Sequence, residues 1–311
     1  MSGTRRIQFG LSIERERDPA RSARQAEDLG FDYVTAGEHL LFHHGVDTNA
    51  MIILAAAAAV TTRIRLATAI TFAPLYQAAI LTWLITSMDR ISKGRFELGV
   101  GIGGEFPLEF ELAGVDIHQR GARTDETLEI LRRLWSGEQV TFEGRFNRFR
   151  DIRWDAHPVQ SHLPIWIGGR KEAAMRRAAR FGDGWLPYMV SAEQFANSVR
   201  VVREEAERRD RNPDSIKMGF TTFVTTYHDS EKARRVAAEW ASASLKQDLS
   251  HVVDRYLIVG NPDECRARLR AYYDAGARAA FVLPNCPAAD TEEMVKLLAA
   301  EVFPEFRGTN A

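Results

Sequence analysis

The chain has 311 residues, with 41 lysines and arginines against 42 acidic residues, so its formal net charge is −1. That balance, with no basic stripe, argues against a nucleic-acid or membrane-surface partner. The longest apolar run, residues 51–60, is too short to span a bilayer, and the first ten residues lack the apolar segment of a signal peptide. Cys265 and Cys286 show neither disulfide-framework nor metal-ligand spacing. We therefore expect a soluble cytoplasmic protein.

Apolar periodicity alternates between strand and helix along almost the whole chain. The predicted strands span residues 6–13, 32–36, 65–70, 95–100, 163–167, 184–186, 216–225 and 279–283. The predicted helices span residues 19–29, 48–60, 77–91, 119–135, 171–181, 192–210, 230–249, 262–275 and 291–303. Asp18, ahead of Pro19, and Asn261 are the predicted N-caps of their helices.

These elements form eight strand–helix units with no proline-rich or serine-rich linker between them. The pattern favours a single α/β domain over residues 1–311, a TIM (β/α)8 barrel, over a doubly wound sheet. Two insertions are predicted, the loop 105–118 after strand 4 and a hairpin after the fourth main helix, with its turn at Glu143 and Gly144. In such a barrel the chemistry lies on the loops that follow the strands, so the candidate residues are expected there.

The segment RFELGVGIGG, residues 95–104, combines a buried strand with a cluster of glycines at its end. The spacing satisfies the dinucleotide pattern G-x-G-x-x-G, but no helix opens directly on the glycines, so a Rossmann interpretation is weak. Glycines at a strand end let a ligand approach the backbone, because no Cβ blocks it. We expect Gly101, Ile102, Gly103 and Gly104 to form a wall for a planar cofactor.

Glu38 and His39 follow the second strand, where a barrel delivers side chains to its active face. A histidine there can donate or accept a proton near neutral pH, although a histidine satisfied by a neighbouring carbonyl is an equal alternative. His43 and His44 add two imidazoles nearby, but no other ligand cluster stands at a strand end. The sequence therefore predicts no metal site.

Gly168 and Gly169 lie directly ahead of a predicted helix, whose first turn exposes unpaired N–H groups. With the positive charge of Arg170 this is a candidate phosphate site, and plain helix capping is the competing interpretation. Ala69 and Ile70, at the end of the third strand, could be small and flat enough to serve as a cofactor wall, although the pattern alone favours an ordinary buried strand that runs into a turn.

Aromatic residues recur near the predicted strand ends and could wall an apolar substrate pocket. They are Phe42, Phe72, Phe106, Trp185 and Tyr188. Core packing is the competing interpretation for each of them taken alone. Cys286, after the last strand, has no base or cation nearby in sequence and is predicted to be inert.

Taken together, the motifs resemble the bacterial luciferase-like family, which covers flavin-dependent monooxygenases and oxidoreductases that use the deazaflavin coenzyme F420. The segments that carry the resemblance, in order, are GFDYVTAGEH, LATAITFAP, MDRISKGRFELGVGIGG, EFELAG, RGARTDETLEILRRLW, FEG, PIWIGG and AARFGDGW. They span residues from about 7 to about 285. The resemblance implies a TIM barrel, an insertion after the long helix and a homodimer.

The resemblance also implies roles for individual residues. His39 matches the histidine that F420-dependent members hold against the deazaflavin ring as catalytic acid or base, and Glu38 stands where many members have an acid. Ala69 and Ile70 fall at a bulge that often contains a non-prolyl cis peptide. Glu105 lies close to an acid that some members use as proton donor.

The glycines match two cofactor-binding segments of the family. Gly101, Ile102, Gly103 and Gly104 match the loop that lines the cofactor, and Gly168 and Gly169 match its phosphate-binding turn.

The choice between F420 and FMN rests on few residues. The sequence GEH at residues 37–39, rather than the EHH common in FMN-dependent members, favours F420. F420 implies hydride transfer at ring position C5 to or from a small organic substrate, with His39 handling the proton. The alternative is an FMN-dependent monooxygenase that uses reduced flavin and dioxygen. Two rivals are a metal-dependent barrel hydrolase, which lacks the ligands, and a non-catalytic flavin-binding relative, which the retained His39 argues against.

Overall fold

A computed structural model of the protein describes residues 6–13, 18–41 and 48–307. Its strands are β1 (Gln8–Ser12), β2 (Tyr33–Ala36), β3 (Arg65–Thr68), β4 (Thr71–Phe72), β5 (Phe96–Gly101), β6 (Gln139–Glu143), β7 (Arg148–Arg153), β8 (Ile165–Gly168), β9 (Gly184–Leu186), β10 (Lys217–Thr226), β11 (Ile258–Gly260) and β12 (Ala279–Pro284). Its α-helices are α1 (Pro19–Asp28), α2 (Ala50–Val60), α3 (Ala78–Ile91), α4 (Pro107–Leu112), α5 (Arg120–Leu134), α6 (Glu172–Phe181), α7 (Ala192–Glu207), α8 (Ser230–Leu245), α9 (Val253–Tyr256), α10 (Pro262–Asp274) and α11 (Ala288–Leu297).

Eight parallel strands form a closed barrel with helices between them, which confirms the predicted TIM barrel. Their order around the barrel is β1, β2, β3, β5, β8, β9, β10 and β12, and β12 pairs back onto β1. Each of the eight lies within two residues of its predicted bounds. The predicted caps also form, because Asp18 accepts a hydrogen bond from Arg21 N and Asn261 makes a capping box with Glu264.

Local structure differs from the prediction in the two insertions. The segment after β5 contains the short helix α4, which begins at Pro107 in the N1 position, rather than only a loop. The hairpin β6–β7 forms, but residues 144–147 make up its turn instead of Glu143 and Gly144. The Glu126 carboxylate sets that longer turn by accepting hydrogen bonds from the N–H groups of Arg145, Phe146 and Asn147.

The C-terminal third also departs from the predicted bounds. Helix α8 ends at Leu245 instead of residue 249, because Lys246 adopts a left-handed conformation with φ of 48°. The short helix α9 and the strand β11, which pairs with β10, were not predicted. The last helix begins at Ala288, three residues earlier than expected.

The N-terminal end of the barrel encloses a buried ion-pair network around Glu97, whose side chain is 4% exposed. Its carboxylate accepts hydrogen bonds from the Tyr33 hydroxyl (3.1 Å) and the Trp166 indole N–H (2.5 Å), and Arg65 Nε lies 2.5 Å away. Burial lowers the pKa of Lys217, and the charge of Glu97 opposes that shift. Side chains therefore fill this end of the barrel, and the buried negative charge of Glu97 is balanced by nearby cations.

The two ends of the described chain meet at the same N-terminal face. Ile7 N donates a hydrogen bond to Phe306 O at 3.1 Å, and the ring of Phe9 stacks on Phe303 with centroids 3.7 Å apart. This contact closes the core beneath β1. Within the described ranges, the helices are all too short or too polar to cross a bilayer.

Candidate active site at the C-terminal face

A cavity of about 300 Å³ opens at the C-terminal ends of the barrel strands. It is lined by Gly37, Glu38, His39, Thr48, Ala69, Ile70, Phe72, Gly101, Ile102, Gly103, Glu105, Gly168, Gly169, Arg170, Leu186, Tyr188, Thr221, Phe223 and Leu283. Most of the residues that the sequence singled out are in this set. The lining is mainly apolar and glycine-rich with a few charged groups, which is the usual composition of a small-molecule or cofactor site.

Three of the singled-out residues lie away from the cavity wall. The Phe106 ring packs edge-on against His39 instead of forming the wall, and Gly104 turns toward the Arg120 side chain. Trp185 is fully buried in the core and stacks on Phe195. Its indole N–H donates to Gly169 O at 2.9 Å, so Trp185 supports the wall from behind.

Phe42, which the sequence also assigned to the aromatic pocket, lies outside the described residues, as do His43 and His44.

His39 is held in place by a carboxylate and two aromatic rings. Its Nδ1 lies 3.3 Å and 3.4 Å from the two carboxylate oxygens of Glu109. The rings of Phe72 and Phe106 pack edge-on against the imidazole, with centroids 5.1 Å and 5.3 Å away. A quarter of the His39 side chain remains exposed, so the ring can reach a molecule in the cavity.

Glu109 is a site residue that the sequence reasoning missed. Its side chain is completely buried, and it also accepts a hydrogen bond from Leu41 N at 3.2 Å. Helix α4 places it there, and that segment was predicted as a loop. A carboxylate against one imidazole nitrogen fixes the orientation of the ring.

Glu38 has neutral hydrogen-bond donors around it. Its carboxylate accepts from Phe72 N, the Tyr76 hydroxyl and Asn49 Nδ2, each at 3.1 Å. Burial raises the pKa of Glu38 to about 7, although the hydrogen bonds from Phe72 and Tyr76 pull it down. Asn49 also caps α2 by accepting from Met51 N, so Glu38 ties the loop after β3 to the start of that helix.

The Ile70 side chain accounts for the glycines at positions 101 and 168, which the sequence analysis assigned to cofactor binding. The peptide bond between Ala69 and Ile70 is cis, as the family resemblance implied. A Cβ on Gly101 would lie 1.9 Å from Ile70 Cδ1, and a Cβ on Gly168 would lie 2.8 Å from the same atom. The absent side chains therefore make room for Ile70 as part of the cavity floor.

The turn at Gly168 and Gly169 leads into α6, which begins at Glu172. Gly169 has φ of 118°, and a Cβ there would also lie 2.9 Å from the Ala174 Cβ, so the position favours glycine. Lys171, the N-cap residue, makes no side-chain capping hydrogen bond. The Arg170 guanidinium donates to Met189 O at 3.2 Å and lines the cavity. The helix N-terminus and this cation together form an electropositive rim.

Other residues on the wall were not anticipated. Thr48 and Gly37 come from loops, and Leu186, Thr221, Phe223 and Leu283 come from β9, β10 and β12. Alternation along β10 points Thr221 and Phe223 to the same side, which could have marked them. Across residues 6–13, 18–41 and 48–307, there is no group of three or more His, Cys, Asp or Glu side chains that could hold a metal ion.

Known proteins resemble the chain over nearly its whole length. The family model described as luciferase-like monooxygenase matches residues 8–252. An F420-dependent glucose-6-phosphate dehydrogenase from Nakamurella multipartita is 27% identical, and the match covers 97% of both chains. The monooxygenase RslO1 from Streptomyces bottropensis superposes with a TM-score of 0.85 at 26% identity, over 96% of this chain and 100% of that one.

A third protein shares the fold alone. It is an F420-dependent secondary alcohol dehydrogenase in complex with an F420-acetone adduct, which superposes with a TM-score of 0.84 at 19% identity. The superposition covers 97% of this chain and 99% of that one.

Proposed function

Because the chain belongs to the luciferase-like monooxygenase family, we propose that it is an F420-dependent oxidoreductase acting on a small organic molecule. The observation that carries this proposal is the glycine-lined cavity, into which Glu109 presents His39. The resemblance to F420-dependent dehydrogenases over almost the whole chain supports it.

The residues of the cavity fit a planar cofactor with a phosphate. Ala69, Ile70 and the backbone of residues 101–103 provide a flat wall, and the start of α6 with Arg170 provides positive potential for a phosphate. When bound, F420 supplies a carbon that accepts or gives up a hydride. His39 would take or return the accompanying proton, and the buried Glu109 would hold the ring in position for this task. Glu105, also on the wall, is a second candidate acid.

The cofactor assignment is tested by titrating the purified protein with F420 and with FMN and following fluorescence quenching. We expect F420 to bind at least tenfold more tightly, which corresponds to about 1.4 kcal/mol. Tighter binding of FMN would contradict the F420 assignment and favour the second candidate.

That second candidate is an FMN-dependent monooxygenase, and the match to the monooxygenase RslO1 favours it. Both cofactors present a tricyclic face and a phosphate, so the same cavity suits either. Oxygen consumption that depends on reduced FMN and on a substrate would identify this activity.

We place the cofactor phosphate at the Gly169 turn. Gly169→Asp would put a carboxylate beside the phosphate and should weaken cofactor binding at least tenfold. Gly114→Asp is the matched control, because Gly114 also has a positive φ (65°) and a Cβ there would face open space among the described residues. Equal affinity of the two variants would contradict this placement.

We further propose that the chain forms a homodimer through α2 and α3. Helix α2 consists entirely of apolar residues, and Ile52, Ile80 and Trp83 are exposed on these two packed helices. Trp83→Lys should shift the protein to monomers in sedimentation experiments. Trp240→Lys, which changes another exposed tryptophan on α8, should not.

The remaining features of the proposal are a single domain, a cytoplasmic location and no nucleic-acid partner. Pairing of β1 with β12 and the contact of Ile7 with Phe306 support one domain. Two buried free cysteines fit a reducing compartment, and the net charge of −1 gives no attraction for nucleic acid.

A further inference from the structure

The turn that follows β4 carries an aromatic ring into the cavity. It begins at Phe72, continues through one helical turn at residues 73–75 and ends at Tyr76. The Phe72 ring lines the cavity and packs edge-on against the His39 imidazole, with an angle of 82° between the two ring planes. A Cβ on Gly103 would lie 3.3 Å from the same ring, so Phe72 occupies space beside the glycine wall as well. The position of this ring therefore affects both the histidine and the wall.

The Glu38 carboxylate binds both ends of this turn. Its Oε1 accepts hydrogen bonds from Phe72 N and from the Tyr76 hydroxyl, each at 3.1 Å. Its Oε2 lies 3.1 Å from the same hydroxyl and accepts a hydrogen bond from Asn49 Nδ2 at 3.1 Å. Because one buried carboxylate holds the first and the last residue of the turn, it restricts the backbone of Phe72.

The network requires a hydrogen-bond acceptor at Glu38. Asn49 Nδ2 also donates to the Tyr76 hydroxyl at 2.7 Å, so the proton of that hydroxyl points at the Glu38 carboxylate. Burial raises the pKa of Tyr76, which keeps this hydroxyl protonated. A main-chain N–H, a side-chain amide and a phenol therefore all donate to Glu38. An amide in place of the carboxylate would direct an NH2 group at one of these donors.

We propose that Glu38 is a positioning residue, which orients the His39 imidazole by fixing the Phe72 ring against it. Glu109 holds the imidazole at Nδ1, but a contact at one ring atom still allows the ring to tilt. Packing of the Phe72 ring restricts that tilt. The inference rests on the proposed function for the proton transfer that His39 performs, whereas the hold on Phe72 needs no cofactor.

The first test is therefore made on the cofactor-free protein. With ¹³C-labelled histidine, the NMR signal of the His39 ring is identified as the one lost in His39→Ala. Phe72→Leu, which removes the neighbouring ring, gives the direction in which that signal moves when the packing is lost. Glu38→Gln, measured at about pH 8, above the Glu38 pKa of about 7, should move it in the same direction. An unmoved His39 signal in folded Glu38→Gln overturns the inference.

Glu126→Gln is the matched control. Glu126 also holds a turn by accepting main-chain hydrogen bonds, but this turn belongs to the hairpin at residues 144–147. The substitution should lower the free energy of unfolding and leave the His39 signal in place. Equal movement of the signal in Glu38→Gln and Glu126→Gln would assign it to general loosening and contradict the inference.

Tyr76→Phe is the second variant, for the case that Glu38→Gln does not fold. It removes one donor to the same carboxylate and keeps the aromatic ring of the side chain. The His39 signal should move in the same direction as in Phe72→Leu, by a smaller amount. An unmoved signal in this variant would then overturn the inference.

Turnover tests whether the effect passes through Phe72. Glu38→Gln should lower kcat about tenfold at pH 8 and leave F420 affinity within about threefold, since a misplaced imidazole slows the reaction more than it weakens binding. Glu38→Gln combined with Phe72→Leu should be no slower than the slower single variant, because both act on the same ring. Losses that multiply would contradict a path through Phe72.

The two proposals fail in different ways. Titration of the same samples with F420 measures the cofactor separately. Failure of the wild type to bind F420 contradicts the proposed function and leaves the NMR comparison intact, whereas normal F420 binding with an unmoved His39 signal contradicts the positioning role alone.

Discussion

The two ends of the barrel each contain a buried carboxylate, but the groups that surround it differ. At the N-terminal end, Glu97 is paired with Arg65 and lies near Lys217, and its remaining hydrogen-bond capacity is satisfied by Tyr33 and Trp166. At the C-terminal end, Glu38 accepts hydrogen bonds from neutral donors, and burial raises its pKa to about 7.

The difference separates a stabilising carboxylate from one suited to chemistry. A carboxylate paired with a cation keeps its charge across the physiological range, and removing it leaves that cation uncompensated. A carboxylate with neutral partners beside a cavity can change its charge near neutral pH. The His39–Glu109 pair lies at the same end of the barrel, where the partly exposed imidazole reaches the cavity and the buried carboxylate holds it in place.

The largest effect is expected at His39. If the C-terminal end carries the chemistry, His39→Ala should lower turnover about 10²- to 10⁴-fold with little change in the free energy of unfolding. His118→Ala, which removes a histidine on the insertion after β5, should leave turnover unchanged. Steady-state kinetics with any accepted substrate decides the matter, and normal turnover of His39→Ala would show that the imidazole is structural.

Glu97→Gln should affect stability instead of chemistry. Removing the charge leaves Arg65 and Lys217 without their buried partner, which should cost about 3 kcal/mol of unfolding free energy. That value is the lower end of the usual range, since Arg65 is itself 36% exposed. Urea unfolding measures this change. A surface substitution usually changes the free energy of unfolding by less than about 0.5 kcal/mol, so a loss that small would contradict a stabilising role for Glu97.

Glu109→Gln tests whether the charge behind His39 matters. The amide keeps the shape but not the negative charge that lies against His39 Nδ1, so we expect turnover to fall about 10- to 100-fold. Glu111→Gln, on the exposed side of the same helix, is the matched control. An equal effect of the two substitutions would assign the loss to α4 as a whole.

The last effect, expected for Glu38→Gln, depends on pH. The folded-state pKa of Glu38, about 7, lies above its ordinary value of 4.5. The stabilisation from its protonated form is therefore complete below pH 4.5 and lost as the pH rises through 7. Relative to Glu38→Gln, the wild type should lose about 3 kcal/mol of unfolding free energy over this interval, because one pKa unit corresponds to about 1.4 kcal/mol. Parallel stability curves for the two proteins across this interval would contradict the assigned pKa.

The barrel was predictable because its signals are local. Each barrel strand is an apolar run bounded by turn residues, and the predicted N-caps Asp18 and Asn261 are visible as single residues before proline. His39 was found for the same reason, since it closely follows a strand.

The rest of the site depends on contacts between distant segments. Glu109 reaches His39 from 70 positions away, on a helix of six residues that periodicity cannot detect. The packing of Ile70 against Gly101 and Gly168 joins the segment between β3 and β4 to the ends of β5 and β8, so the sequence could not distinguish these glycines from ligand-binding ones. Trp185 lies on a strand of three residues, too short for alternation to show whether its side chain faces the cavity or the core.

The contact of Ile7 with Phe306 has a practical consequence for handling the protein. Both ends of the described chain emerge at the face opposite the cavity, so an affinity tag or a surface linker attached at either end would leave the mouth of the cavity clear. A short peptide could also join them in a circular permutant, with new termini opened in the hairpin turn at residues 144–147.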